Sequence, residues 1–152
     1  MRPFKEGVFA GLSKLERVYK RYVQEAVAEY QFTPNEIAVL MFLYNNAPSL
    51  DTASDIARYK RISKGLVARS VDSLLRRGLI CAQRDEGDRR IVHLSLNAGC
   101  QDVLARLRAS EERLVACAAE GIEPERLSIA LDVLHRIDAN MNRLLQDKEE
   151  EL

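Results

Sequence analysis

Only two histidines, His93 and His135, and three cysteines, Cys81, Cys100 and Cys117, occur among the 152 residues. Neither histidine sits in an H-x-x-x-H or C-x-x-C pattern, and the cysteine spacing matches no metal motif. Three thiols cannot all pair within one chain. They read as small buried hydrophobes, with a redox role as the alternative. No apolar run approaches the roughly 20 residues that cross a bilayer. The first fifteen residues carry Arg2, Lys5, Glu6 and Lys14, which interrupt any secretory leader core. A cytoplasmic chain that does not engage a membrane is expected. Internal repeats and low-complexity linkers are also missing. No nucleophile–base pairing, phosphate-binding loop or metal cluster is visible, so the chain does not read as an enzyme and requires no cofactor.

What is present is ordinary in amount and unusual in distribution. The composition, 47% hydrophobic and 30% charged, is that of a globular protein. A chain of this length buries roughly two-thirds of its unfolded surface in one domain. Net charge is zero, yet Ala53–Leu96 holds ten Lys/Arg against five Asp/Glu, and the remainder holds 13 against 18. A locally basic module on an acidic chain is the electrostatic footprint of a polyanion binder.

Apolar side chains at Val8, Leu12, Leu15, Val18/Tyr19, Tyr22/Val23 and Val27 recur with helical period. They predict a helix over Phe4–Glu29, with Phe4 and Phe9 adding bulk at its start. Thr33-Pro34-Asn35-Glu36 is a capping box with proline at the first helical position. Ile37, Leu40, Met41 and Tyr44 follow as a buried stripe, and Asn45-Asn46-Ala47-Pro48 stops that helix. Thr52 opens a short third helix with Ile56 and Ala57 inward, and Tyr59–Ile62 is the turn. Ser63 caps a fourth helix, whose Val67, Val71, Leu74 and Leu75 share one face and which ends at Gly78. Strands Leu79–Arg84 and Arg90–Leu96 flank the turn Asp85-Glu86-Gly87-Asp88, with Val92, Leu94 and Leu96 on one face and a wet His93 on the other. Asn97 caps a fifth helix, Ala98–Glu120, with Cys100, Leu104, Leu107, Leu114 and Ala118 on its apolar side. Gly121 and Pro124 introduce a sixth helix to about Asp147, with Leu127, Leu131, Leu134, Ile137, Met141 and Leu145 as its stripe. Lys148–Leu152 is an acidic tail.

A helix followed by a basic two-stranded hairpin is the layout of a winged helix-turn-helix. The expected fold is mainly α (α+β). Residues 33–97 form the winged unit, residues 1–32 an N-terminal dimerisation helix and residues 98–152 the C-terminal dimerisation helices. The extra helices exceed what is needed to cover so small a unit, and a two-fold homodimer sets two recognition helices about one DNA turn apart.

The run Ser54-Asp55-Ile56-Ala57, then Ile62–Leu74, then Arg77-Gly78-Leu79-Ile80 resembles the helix-turn-helix of the MarR family of transcription regulators. Asp85-Glu86-Gly87-Asp88-Arg89-Arg90 and Leu94-Ser95-Leu96-Asn97-Ala98-Gly99 resemble that family's wing. The resemblance implies a homodimeric regulator of transcription, a repressor or else an activator, on a pseudo-palindromic double-stranded DNA operator. It implies that the fourth helix enters the major groove with Ser63, Lys64, Gly65, Ala68, Arg69 and Ser70 near bases or phosphates. Arg89 and Arg90 would reach the minor groove, with Asp88 orienting an arginine. Ser54, Lys60, Arg61 and Arg76 complete the expected contact set. The chain departs from the family at Tyr59-Lys60-Arg61-Ile62, where Arg61 takes a turn position that is often glycine. The residue chemistry agrees independently: Arg69 offers a planar fork for guanine, and Gly65 and Ala68 permit close approach. Ser63 opens a helix N-terminus that can receive a phosphate.

Family members often release DNA on binding small aromatic anions, which nominates Tyr19, Tyr22 and Tyr44 as ligand contacts, although aromatics at helical spacing also make core. No cysteine precedes Cys81, which argues against the family's peroxide sensors. The alternatives are a helical adaptor whose winged unit binds protein, and a redox-responsive regulator using Cys81, Cys100 or Cys117.

Overall fold

The computed structural model describes residues 6–150. Phe4 and the tail's Glu151 and Leu152 lie outside the described residues, as do the side chains of Val8, Phe9, Leu145 and Lys148–Glu150. The chain runs through α1 (Glu6–Ala26), a 3-10 turn (Ala28–Tyr30), α2 (Pro34–Asn46), α3 (Ala53–Lys60) and α4 (Lys64–Arg76). It continues with β1 (Ile80–Arg84), β2 (Val92–Leu96), a second 3-10 turn (Ala98–Cys100), α5 (Gln101–Ala119) and α6 (Pro124–Glu150). Internal contacts separate two units, one ending at Leu114 and one beginning at Val115. The fold is mainly helical with one small antiparallel sheet, as a winged helix requires.

In the first unit the helices begin where their caps dictate. Thr33 accepts from the Glu36 N–H while the Glu36 carboxylate accepts from the Thr33 N–H. Thr52 and Asp55 repeat this reciprocal arrangement at α3. Ser63 Oγ accepts from Leu66 N–H at 3.4 Å to start α4. Between α3 and α4, Arg61 takes the left-handed turn at φ 52°, the position at which the sequence departs from the usual glycine.

α2 is the centre of the unit, packed by α1, α3, α4 and β2. Its burial is therefore wider than the expected stripe: Glu36, Ile37 and Val39–Leu43 are all buried, as befits a helix surrounded by neighbours. Tyr44 is a correction, since its side chain is exposed. α1 contributes Val23 to the core and Val27 follows just past its end, while Leu12 and Leu15 are exposed. It stops at Ala26, short of the expected Glu29, because the chain tightens into the 3-10 turn that Gln31 closes at φ 53°. On α5 the buried positions are Val103, Leu107, Ser110 and Leu114, following Cys100. Ala118, expected on this side, is exposed. Ser110 fits because its hydroxyl donates to the Tyr22 carbonyl at 2.9 Å. The core thus takes in Cys100, Val103 and Leu107, which lie beyond the sequence boundary at residue 97.

In the second unit α6 follows Gly121 at φ 74°. Its apolar stripe is not buried. Within the single chain Leu131, Leu134, Ile137 and Met141 are exposed and Leu127 is half-buried.

α4 is fixed from behind by one buried carboxylate. Glu36 accepts from Ser73 Oγ at 2.6 Å, from Thr33 N at 2.7 Å and from Thr33 Oγ1 at 2.9 Å. The Arg77 guanidinium stands 3.8 Å from it. Arg77 also lies 4.1 Å over the Phe32 ring and donates to the Tyr30 carbonyl at 2.6 Å. Burial alone would push the Glu36 carboxyl up. The Ser73 and Thr33 donors and the Arg77 charge outweigh it and hold the carboxyl below its ordinary range. Glu36→Gln is expected to cost about 1.5–3 kcal/mol, the worth of hydrogen bonds to a buried charged group. Because the native carboxyl is held low, its stabilisation is present above the ordinary glutamate range, about pH 4.3, and is lost as pH falls through the native value. Urea unfolding of wild type and E36Q at neutral and acid pH should therefore show a gap that closes with acid.

Candidate nucleic-acid interface

Helical periodicity divides α4 into two arcs. Val67, Ser70, Val71 and Leu74 are buried, while Lys64, Gly65, Ala68, Arg69 and Arg76 are exposed. Ser70, named in the expected contact set, lies on the buried arc. It is 6% exposed and its hydroxyl donates to the Leu66 carbonyl at 3.0 Å, so it packs with the core arc. Ser63 is exposed at the helix start, as are Ser54 in the first turn of α3 and Lys60 and Arg61 at the turn. A Cβ on Gly65 would meet nothing within 4 Å, so no neighbour within the chain demands glycine there. Among the described residues, Lys60, Arg61, Lys64, Arg69 and Arg76 form no ion pair. Arginines in the body are engaged instead, Arg106 with Glu29 and Asp102, and Arg136 with Asp132.

The hairpin is shorter than the sequence pattern suggests. β1 and β2 pair from Ile80↔Leu96 to Arg84↔Val92, and Arg90 and Ile91 belong to the turn, which the Ile91 N–H to Asp88 carbonyl bond closes at 2.9 Å. Asp85 Oδ1 accepts from the N–H groups of Gly87 at 2.8 Å and Asp88 at 2.7 Å. Asp88 Oδ1 accepts from the backbone N–H of Arg90 at 2.9 Å. Asp88 therefore shapes the turn through the backbone and does not orient an arginine side chain, which corrects the expectation. The N–H of Asp88, then the His93 ring and the N–H of Gly87, hold the Asp85 carboxyl below its ordinary range. Arg84, Arg89 and Arg90 are exposed, and their guanidinium groups have no carboxylate partner among the described residues.

Four residues near α4 were not among the expected contacts. Glu36 and Arg77 set the position of α4. Gln31 and Asn35, with Leu66, Arg69, Ser73 and Arg77, line an open groove of about 380 Å³ between the start of α2 and α4. The left-handed Gln31 had no residue-type signal, whereas Asn35 lay inside the quoted capping motif.

The tyrosine candidates each have a contact on α5, Tyr22 through its carbonyl. Tyr19 donates to Glu111 at 2.7 Å, and burial, reinforced by that bond, pushes its hydroxyl pKa up. Tyr22 is half-buried, and Tyr44 is exposed with the Arg108 guanidinium 5.7 Å from its ring centre. None of the three lines the groove beside α4. Cys81 and Cys117 are exposed, while Cys100 is buried, which pushes its thiol up to about 11. Among the described residues, no group of three His, Cys, Asp or Glu is placed to hold a metal ion, and no helix is long and apolar enough to cross a membrane.

Comparison with known proteins places this geometry. Residues 30–91 match the family model described as MarR family. No curated protein matches the sequence significantly. Among solved structures, a MarR transcriptional regulator from Methanosarcina mazei Go1 superposes with a TM-score of 0.78 at 19% identity, covering 92% of each chain. A MarR family regulator from Listeria monocytogenes, solved in complex with a 26mer DNA, gives 0.75 at 14% identity, covering 93% of this chain and 90% of the other. BpsR from Bordetella bronchiseptica, whose DNA binding is regulated by 6-hydroxynicotinic acid, gives 0.66 at 18% identity, covering 91% and 97%. The MarR family model thus matches residues 30–91, and the fold of these solved structures is shared along about nine-tenths of the length.

Proposed function

We propose that this protein is a sequence-specific double-stranded DNA-binding regulator of transcription, a repressor that acts as a homodimer on a pseudo-palindromic operator. The observation that carries the reading is the set of exposed cations on the open arc of α4 and at the wing tip, which have no carboxylate partner among the described residues. Lys64 and Arg69 suit the major groove, where a guanidinium reads guanine O6 and N7. Arg89 and Arg90 suit the narrow minor groove, where negative potential is enhanced. Ser54, Lys60, Arg61, Ser63 and Arg76 supply phosphate contacts, and Gly65 and Ala68 leave room for the duplex backbone.

The exposed stripe of α6 supports the homodimer, because contiguous apolar surface on a helix marks an interaction face. Release by a small aromatic anion is supported by the exposed Tyr44 ring beside Arg108, a stacking face next to a cation.

Binding to mixed genomic duplex at two salt concentrations tests the reading. Affinity should fall steeply with salt as Lys/Arg contacts release counterions. Salt-independent or absent binding would favour a protein-binding adaptor instead. Arg69→Ala is expected to cost about 1–3 kcal/mol of operator binding and relax preference at one base position, whereas Lys64→Ala should weaken all sequences alike and flatten the salt slope. Gly65→Ala separates folding from recognition. It should raise stability by up to about 1 kcal/mol, as replacing an unneeded helical glycine does, while lowering duplex affinity. Leu134→Glu should convert a sedimenting dimer into a species of 17.2 kDa. A wild type of monomer mass at concentrations that bind operator would overturn the dimer.

A further inference from the structure

His93 does more than sit on the wet face of the wing. Its Nδ1 lies 2.7 Å from Asp51 Oδ1, in the loop ahead of α3, and its Nε2 lies 3.2 Å from Asp85 Oδ2, at the start of the wing turn. The backbone follows the same route: Thr52 bridges to His93, and the Leu94 N–H donates to the Asp51 carbonyl at 2.8 Å. The other Asp85 oxygen, Oδ1, holds the turn through Gly87 and Asp88. One side chain therefore ties the turn that carries Arg89 and Arg90 to the loop that caps α3.

The protonation state follows from counting donors. Neutral imidazole has one N–H, and its second nitrogen presents a lone pair. Both ring nitrogens here face carboxylate oxygens, which are acceptors when ionised. Only the imidazolium satisfies both contacts. Asp51 and Asp85 are the charged groups that face the ring. Across the sheet His93 stands opposite Gln83, which does not titrate. α2, which also packs on β2, has Glu36 as its one charged residue, and that carboxylate is turned to Ser73 and Arg77.

We propose that His93 is a positioning residue of the wing: as an imidazolium it clamps the Asp85 turn to the Asp51 loop, and loss of one proton opens one arm of the clamp. The geometric part stands on the contacts above, and its consequence for binding rests on the DNA-binding reading. Hydrogen bonding to Asp51 first, then Asp85, raises the His93 pKa above its ordinary value. The sign follows: the clamp is complete at low pH and is lost as pH rises through the raised native value. Duplex binding should weaken in the same direction.

The test is an NMR titration of the full chain, with the ring signals of His93 and His135 distinguished by His93→Gln. Its companions are 15N relaxation at Gly87 and Asp88 and duplex affinity, all between about pH 5.5 and about pH 9.5, either side of the ordinary histidine range. His93 should titrate above that range, and wing amides should gain mobility as it deprotonates. Wild-type affinity for mixed duplex should fall about two- to fivefold over the same interval, as exposed charge-assisted pairs support, and that fall should be missing in H93Q. Asp85→Asn supplies the second variant. Its carbonyl oxygen still accepts from the turn, and its amide can donate to the neutral ring, so the wing should stay ordered and lose its pH dependence. A His93 that titrates at or below the ordinary range, or wing mobility that does not follow it, overturns the clamp. Absence of duplex binding at every pH with the NMR behaviour intact would overturn the DNA reading and leave the clamp standing. Binding with the same pH dependence in wild type and D85N would overturn the positioning role, whether or not H93Q folds.

Discussion

The arrangement of this winged unit depends on Glu36. A buried carboxylate is costly unless donors surround it, and here they come from two elements. Thr33 supplies two from the start of α2, and Ser73 supplies one from α4, with Arg77 adding its charge. Sliding α4 along α2 would remove Ser73 and Arg77 together and leave the charge uncompensated. Core packing sets how closely the two helices approach, while the carboxylate selects the register. Arg77 carries the constraint further. It lies on Phe32, which stacks on Tyr30 at 5.5 Å between ring centres. The Tyr30 hydroxyl bonds Asp102, and the guanidinium of Arg106 stands 5.8 Å from the Tyr30 ring centre. The back of α4 is thereby linked to the start of α5 through charged and aromatic contacts.

With its back held, α4 can leave its other arc to solvent. The zero net charge of the chain conceals the result, because what a polyanion meets is the local charge that is not already neutralised. Arg106 and Arg136 are engaged by carboxylates of the body. Lys64, Arg69, Arg89 and Arg90 are not. The acidic residues of the wing are themselves occupied, Asp85 by turn N–H groups and His93, and Asp88 by the Arg90 N–H. The carboxylates that shape the turn are thus bound to its backbone, and the neighbouring arginine side chains have no carboxylate partner among the described residues.

Much of this was legible from local pattern. Thr33, Thr52 and Ser63 announced the three helix starts, because a cap is a short-range interaction written in adjacent residues. Gly78 and Gly121 announced two ends, each with positive φ. The alternation about Leu94 placed the wing, but of the expected inner face Leu94 is buried and Leu96 half-buried while Val92 is exposed. Less legible was anything that depends on what lies opposite. The apolar period of α6 was read correctly, but whether it is buried depends on a surface that the period does not specify. Tyr44 fits the α2 stripe by spacing and is nonetheless exposed. Ser70 is polar by residue type, yet it is buried with Val67, Val71 and Leu74 because its hydroxyl has the Leu66 carbonyl within reach.

The sequence by itself determined where α2, α3 and α4 begin, that a hairpin follows α4, and the concentration of positive charge in one segment. Each follows from residues within a few positions of one another. Tertiary structure decided that Glu36 meets Ser73, that Arg77 lies on Phe32, and that His93 stands between Asp51 and Asp85. Those contacts join residues 37 to 45 positions apart or separate elements of the fold, and only closure of the chain around α2 brings them within hydrogen-bonding distance. Periodicity and capping are local energies, whereas the pairing of buried and charged groups is settled when the elements pack.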